Sequence, residues 1–233
     1  MSYLSRLPKV VYEFDDRTVL FNNIAAFTDI VDGDKDNLTS YNFYDIVDGM
    51  RPDQVSLELY DTPYHHYTFF LINDNLRTQG WPLSYLDLSA YILKKYPNKS
   101  MLVTADISNS FIIGTAVVGQ TSGALGTIIS KDTNIGKLTV RVIAGVFQDA
   151  EDIVDSAADP AVPITISSVM SDHLAPHHYE NTSGIADINP YTQIIPADVS
   201  IVTNWDYEYS KNDDLSRIRV IKPSRIEELV TVL

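Results

Sequence analysis

YNFYDIVDGMRPDQVSLELYDTPYHHYTFFLINDN, residues 41–75, is the stretch of sequence that decides the fold. It opens with an alternation in which Tyr41, Phe43 and Asp45 face one way and the residues between them face the other. Aromatic and β-branched residues at a period of two favour a short strand. The pair Asp48-Gly49 then predicts a turn, because glycine adopts positive φ at no steric cost.

Two short helices are predicted after this turn. Pro52 suits the first turn of a helix, where a missing N–H is tolerated, and Val55 and Leu59 lie four residues apart on one face. Pro63 begins the second helix, and the turn-forming residues at 73–75 end it. The predicted order is therefore strand, helix, short turn, helix.

The same stretch carries a family resemblance. Residues 44–60 follow the pattern Y-x-I-x-D-G-x-R-P-x-x-x-S-x-x-L-Y, and the runs F-F-L-I-N-D-N and G-W-P-L come after it. These motifs are similar to a LysM-type module. More closely, they resemble the baseplate wedge component of contractile-tailed phages known by its gene number, fifty-three. The resemblance runs from about residue 41 to 97 and resumes near the C-terminus, where residues 217–223 alternate like a strand.

Composition limits the classes of partner. Hydrophobic residues make up 45% of the 233 residues and charged residues 21%, the balance of an ordinary globular protein. With 17 basic and 31 acidic side chains the net charge is −14, and such a field repels nucleic acid and anionic membrane surfaces. The chain has no cysteine, so a disulfide framework and a thiolate zinc site are both excluded.

Neither export nor membrane insertion is expected from the sequence. The first residues, MSYLSRLPKVVYEFDD, lack the apolar region of a signal peptide. No apolar run approaches the length that spans a bilayer. We expect a soluble protein that meets neither nucleic acid nor membrane.

Residues 1–30 are predicted to form an extended N-terminal arm. Val10, Tyr12 and Phe14 alternate with Val11 and Glu13, and a second apolar run ends at residue 21. The segment is too short for a core of its own, so it packs on its own domain as an edge strand or on a neighbour as a binding arm. The resemblance favours the arm.

Residues 101–170 change to short β-branched runs separated by glycine-containing turns. Runs at 111–113, 116–118, 126–130, 137–143 and 164–169 predict a small antiparallel barrel or sandwich. The glycine-rich pattern of residues 114–147 resembles a small β module of phage structural proteins. The predicted fold class is therefore α+β, in which a LysM-like strand–helix–helix–strand domain of residues 31–100 and 171–233 is split by an inserted β domain.

Three local patterns invite functional interpretations that their context disfavours. A calcium loop starting at Asp32 would need an acidic twelfth residue, where the chain has Phe43. The glycines at 120–126 lack the lysine of a phosphate loop and lie among predicted strands. His173 and His177 are four residues apart, but Pro176 between them argues against one helical face. No metal, cofactor or catalytic residue is therefore predicted.

The resemblance implies a structural protein of the virion tail baseplate, assembled in the host cytoplasm and without enzymatic activity. Its implied partners are other baseplate wedge proteins, including neighbouring wedges and the sheath initiator. The chain is expected to be a monomer alone and present in multiple copies in the six-fold baseplate. The predicted partner-binding residues are Val10, Tyr12, Phe14, Phe21, Arg51, Tyr60, Trp81, Ile226 and Leu229.

Two other functions stay open at this stage. A LysM module can bind peptidoglycan or chitin, with Tyr60, Tyr64 and Trp81 stacking on sugar faces. A wall hydrolase would use paired carboxylates, but among 31 acidic residues the sequence singles out no pair.

Overall fold

The computed structural model describes residues 8–14, 17–23, 41–156, 162–188 and 195–232. In these ranges the chain forms six α-helices and thirteen strands, so the predicted mixed α+β class is confirmed. The chain divides into two compact units. The first combines Met1–Asp87 with Lys211–Leu233, and the second is Leu88–Ser210.

The N-terminal strands of the first unit form a hairpin. Strand β1 (Lys9–Phe14) pairs antiparallel with β2 (Arg17–Asn22), in register from Lys9 opposite Asn22 to Phe14 opposite Arg17. A main-chain hydrogen bond from Asn23 N to Pro8 O, 2.7 Å long, closes its open end.

The rest of the first unit alternates strands and short helices. Its first segment contains β3 (Tyr41–Asp45), α1 (Pro52–Tyr60), a 3₁₀ turn (Pro63–His65), α2 (Tyr67–Ile72) and α3 (Asp74–Gln79). Helix α4 (Tyr85–Lys95) begins in this unit and continues into the second. The C-terminal segment adds β13 (Arg217–Ile221) and α6 (Pro223–Val232).

Strands β3 and β13 come from opposite ends of the sequence and pair antiparallel. Tyr44 lies opposite Ile218, and Phe43 lies opposite Arg219. One face of this two-stranded sheet packs on the helices, in a core that includes Val55, Phe69 and Leu76. The unit is therefore continuous in space although its two segments are separated in sequence.

The boundary between α2 and α3 differs from the prediction. Residues 73–75 were expected to end the helical region, yet α3 begins at Asp74. Asn73 has an extended backbone, with φ −119° and ψ 99°, so it separates two helices. Its buried side chain makes hydrogen bonds that the sequence pattern does not reveal.

The second unit contains a closed barrel. Its strands are β4 (Lys99–Val103), β5 (Ala116–Gly119), β6 (Leu125–Asp132), β7 (Lys137–Ala144), β8 (Asp152–Asp155) and β9 (Ile164–Ser171). They pair antiparallel in the order β4-β7-β6-β5-β8-β9, and β9 closes on β4. The prediction of an inserted antiparallel barrel or sandwich is therefore confirmed, and the structure shows the closed barrel, while β4 and β8 were not predicted.

The predicted strand at 111–113 is wrong. Phe111 has a φ of 56°, which a strand does not allow, and its ring is fully buried in the barrel core. Lys131 of β6 holds the surrounding loop, because its ammonium donates to the carbonyls of Ile107, Ser108 and Ser110 at 3.0, 2.9 and 3.0 Å. A buried aromatic ring and this anchor offset the unfavourable backbone conformation.

A second, smaller sheet follows the barrel. Strand β10 (Pro176–Asn181) lies between β11 (Gly184–Ala186) and β12 (Ser200–Thr203), antiparallel to both. Helix α5 (Asn204–Asp213) begins directly after β12. Its first residue, Asn204, donates through its side-chain amide to the carbonyl of Asp172 at 2.6 Å, which fixes the start of the helix.

Candidate interaction surface

The hairpin formed by β1 and β2 exposes every one of its strand residues. Residues directly opposite each other in an antiparallel pair project to the same side of the sheet. One face of the hairpin therefore carries Val10, Tyr12, Phe14, Val19 and Phe21, with Arg17 opposite Phe14 at its end, and we call it the aromatic face. The opposite face carries Val11 and Leu20 among polar residues.

The three rings of the aromatic face form one cluster. The ring centroids of Tyr12 and Phe14 are 6.0 Å apart, those of Tyr12 and Phe21 6.1 Å, and those of Phe14 and Phe21 6.3 Å. Each ring nevertheless stays about half exposed, at 57%, 59% and 48% for Tyr12, Phe14 and Phe21. Four predicted partner-binding residues, Val10 and these three, thus share one exposed surface.

The other predicted partner-binding residues lie elsewhere. Arg51 is exposed and forms an ion pair with Asp53, with a shortest distance of 2.6 Å. Tyr60 is half-buried and donates its hydroxyl to the carbonyl of Ile221 at 2.8 Å. Burial raises the pKa of the Tyr60 phenol, and this hydrogen bond only partly opposes the effect.

Trp81 and Ile226 pack inside the first unit. The indole Nε1 of Trp81 donates to the carbonyl of Met50 at 2.7 Å, and its ring lies 6.0 Å from that of Phe69. Ile226 of α6 is buried against Leu71. The backbone of Leu229 belongs to α6, but its side chain lies outside the described residues.

A second exposed surface was not singled out from the sequence. The outer face of the β3–β13 sheet carries Tyr41 and Phe43 on one strand and Arg217 and Arg219 on the other. The guanidinium of Arg217 lies 5.2 Å from the Phe43 ring centroid, and that of Arg219 lies 5.1 Å from the Tyr41 ring centroid. The alternation of both strands was visible in the sequence, but their mutual register was not.

Two histidines of β10, His177 and His178, form a compact cluster with Tyr207. The ring of His177 stacks on Tyr207, with centroids 3.7 Å apart, and its Nδ1 lies 2.9 Å from the Nδ1 of His178. Burial lowers the pKa of His177, and the neighbouring His178 and Lys137 lower it further. A neutral imidazole can therefore share one proton with its neighbour in an N–H···N hydrogen bond.

Within the described ranges, no three histidine or acidic side chains come together in a group that could hold a metal ion. His173 is directed to Trp205, with ring centroids 6.0 Å apart. The acidic stretch at 32–37, to which the calcium interpretation referred, lies outside the described residues.

The barrel also carries an open cleft of about 650 Å³. Its walls include Lys99, Arg141, Val146, Phe147 and Asp149. The charged members of this set are exposed, and Asp149 already accepts a hydrogen bond from Val169 N at 2.6 Å. We assign no ligand to this cleft.

None of the described helices is long and apolar enough to cross a membrane. No protein-family model matches the chain, and no curated protein matches it significantly.

Proposed function

We propose that this protein is a structural component of a contractile phage tail baseplate, which joins wedge subunits through protein–protein contacts. The observation that carries the proposal is the hairpin, all of whose strand residues are exposed on both faces. A contiguous apolar surface of this kind marks an interaction site in a folded protein.

Energetics support a binding role for the hairpin. A two-stranded hairpin alone is at best marginally stable in water. Burial of the exposed half of each ring on the aromatic face would remove roughly 100 Å² from water, which is about 2.5 kcal/mol per ring. Tyrosine and phenylalanine are also enriched in the cores of protein interfaces. The hairpin therefore gains most of its stabilisation from a partner.

The arrangement of the first unit supports the LysM-like part of the proposal. Strand β3 is followed by α1 and α2, and β13 returns to pair with β3, so the unit contains the strand, helix, helix, strand order with an additional helix, α3, after α2. The two strands pair although the barrel is inserted between them in sequence. The two segments that carry the family resemblance thus meet in one sheet.

A peptidoglycan-binding function has less support from the aromatic residues that it would need. The rings of Tyr60 and Trp81 both pack against Phe69, with centroids 6.1 and 6.0 Å away, and both are partly buried against the core of their own unit. Of the three aromatic residues that this function would use, Tyr64 is the exposed one, at 73%. A single exposed ring does not form a row of rings on which a sugar chain could stack.

Quantitative mass spectrometry of purified phage tails from the source tests the proposal. We expect peptides of this chain in a fixed ratio to the other baseplate proteins. Absence of the chain from intact tails would contradict the proposal, and sedimentation of the purified protein with peptidoglycan would then favour the wall-binding alternative.

Point variants test whether the aromatic face makes the contact. We expect tails assembled with the triple variant Tyr12→Ser, Phe14→Ser and Phe21→Ser to lack the chain. The control is Tyr64→Ser, which removes a still more exposed ring, at 73%, outside the hairpin. Equal incorporation of both variants would show that the aromatic face makes no assembly contact.

A further inference from the structure

The two edges of the β3–β13 sheet differ in whether their main-chain groups have hydrogen-bond partners. Along β13, the side chain of Asn73 takes the place of a neighbouring strand. Its Oδ1 accepts from Arg219 N at 2.9 Å, and its Nδ2 donates to Arg219 O at 2.9 Å. This edge is therefore protected at its centre.

The opposite edge, along β3, is open at Phe43. Because the main-chain groups of Arg219 point to Asn73, the pair formed by Arg219 and Phe43 exchanges no hydrogen bonds. Hydrogen-bonded and non-hydrogen-bonded pairs alternate along an antiparallel ladder. Ile46 and Ser216 lie three pairs further along, and the hydrogen bond from Ile46 N to Ser216 O, 2.8 Å long, agrees with this assignment. The N–H and C=O of Phe43 consequently point away from β13. In the part of the chain that the structure describes, neither group has a hydrogen-bond partner.

The side chains around this edge favour a particular chemistry. Phe43 is 56% exposed, and the guanidinium of Arg217 lies over its ring. Arg219 leans in the same direction, over the ring of Tyr41. Both guanidinium groups therefore lie over rings of β3, although the two arginines belong to β13. Asp45, at 3.9 Å from Arg217, is the acidic side chain on this face of the two strands.

We propose that the open edge of β3 accepts an extended, acidic segment of a protein partner as a third strand. The partner's main chain pairs with the N–H and C=O of Phe43, the mode of recognition by strand addition. Alternate side chains of the added strand lie on the outer face, beside Phe43 and within reach of Arg217 and Arg219. Carboxylates at these positions meet two guanidinium groups, so charge complementarity selects an acidic strand.

This inference concerns a surface separate from the hairpin and does not depend on the baseplate proposal. A chain that binds one neighbour through the aromatic face and another through β3 could bridge two proteins. Failure of either surface in its own test leaves the other test unaffected.

The experiment uses the full-length, ¹⁵N-labelled protein and two seven-residue peptides with blocked ends. One peptide alternates threonine with glutamate and the other alternates threonine with lysine. We expect the glutamate peptide to shift the amide resonances of 41–45 and 217–221 and to protect the Phe43 amide from hydrogen exchange. The lysine peptide should bind about tenfold more weakly or not at all.

Three variants make the result specific. Phe43→Pro removes the outward N–H without removing a donor of the β3–β13 ladder, so it should abolish binding. Phe43→Ala keeps this N–H and should retain binding, reduced by the loss of the ring. The double variant Arg217→Glu and Arg219→Glu should reverse the preference to the lysine peptide, which tests the proposal even if Phe43→Pro fails to fold.

Several outcomes would overturn the proposal. These are the absence of shifts at 41–45 with the glutamate peptide, equal binding of both peptides, and binding that survives Phe43→Pro in a folded protein. Concentration-dependent dimerisation of the protein alone, lost in Phe43→Pro, would assign the edge to a second copy of the chain and equally overturn it.

Discussion

A buried carboxylate shows how one residue organises a turn of the barrel. Glu151 is 3% exposed, and its Oε2 accepts from Ser122 N at 3.0 Å. Its Oε1 accepts from Ser122 Oγ at 3.0 Å and from Gln148 N at 2.6 Å. The carboxylate lies so close to Gly119 that a Cβ on this residue would stand 2.6 Å from Oε2. A side chain at position 119 would therefore push the Glu151 carboxylate or the Ser122 hydroxyl out of these hydrogen bonds.

We expect Glu151→Gln to destabilise the protein at pH 7 by about 2 kcal/mol, because charge-assisted hydrogen bonds to a buried group are replaced by neutral ones. Burial alone would raise the pKa of Glu151, but the hydrogen bonds from Gln148 and Ser122 lower it overall. A carboxyl whose folded pKa is depressed stabilises the fold above its unfolded pKa of about 4.3. That stabilisation is lost as the pH falls through the folded pKa.

Urea unfolding at several pH values checks this prediction. The free energies of unfolding of the two proteins should differ at pH 7 and converge as the pH falls below about 4. The half-exposed Glu180 supplies the control, since Glu180→Gln should change stability by less than about 0.5 kcal/mol. A difference for Glu151→Gln that is independent of pH would assign its effect to packing instead of charge.

At the scale of elements, local chemistry predicted the start of α1 and the strand periodicity. The second helix was predicted to begin at Pro63, but Pro63–His65 forms a 3₁₀ turn and α2 begins at Tyr67. Pro52 begins α1 as expected, and Ser84 caps α4, with its Oγ accepting from Asp87 N at 3.2 Å. The strand β3 and four of the six barrel strands also lie where alternation or β-branched runs placed them.

The missed elements have physical reasons. Strand β8 is short and has aspartate at both ends, Asp152 and Asp155, so it lacks an apolar pattern. Helix α5 is mostly polar, and its start is fixed by contacts of Asn204 with Asp172, which are distant in sequence. The run at 111–113 has strand composition, but tertiary burial of Phe111 overrides this local preference.

Asn73 is the element-scale feature with the clearest energetic consequence. Its amide nitrogen donates to both Phe69 O and Arg219 O, and its oxygen accepts from Arg219 N. Asn73→Asp keeps the acceptor but removes both donors and places a carboxylate beside two carbonyls. We expect this variant to lose about 2–4 kcal/mol of unfolding free energy.

Chemical denaturation and hydrogen exchange at the Arg219 amide would measure the effect of Asn73→Asp. The matched control is Asn75→Asp, an equal chemical change two residues away in the first turn of α3, where an acidic side chain suits the helix dipole. If both variants were equally stable, Asn73 would not hold the β13 edge.

At the scale of the whole molecule, the sequence predicted an inserted barrel or sandwich and an extended N-terminal arm, but neither the pairing of β1 with β2 in a hairpin nor the second surface. The aromatic face follows from alternation within one short segment, which a single sequence reveals. The open edge of β3 depends on the register with β13 and on the orientation of the Asn73 side chain. Both are properties of contacts between residues far apart in sequence, and no local pattern encodes them.

The last prediction concerns removal of the arm. Neither apolar cluster of the first unit contains a residue of 8–14 or 17–23, and every strand residue of the hairpin is exposed. A chain that lacks residues 1–30 should therefore fold, with an unfolding free energy within about 0.5 kcal/mol of the full chain. The same truncated chain should fail to enter assembled tails, because it lacks the aromatic face. Circular dichroism and denaturation measure the first outcome, and mass spectrometry of tails measures the second. A truncated chain that does not fold would place the arm within the core of its own unit, and the binding role of the hairpin would then have to be abandoned.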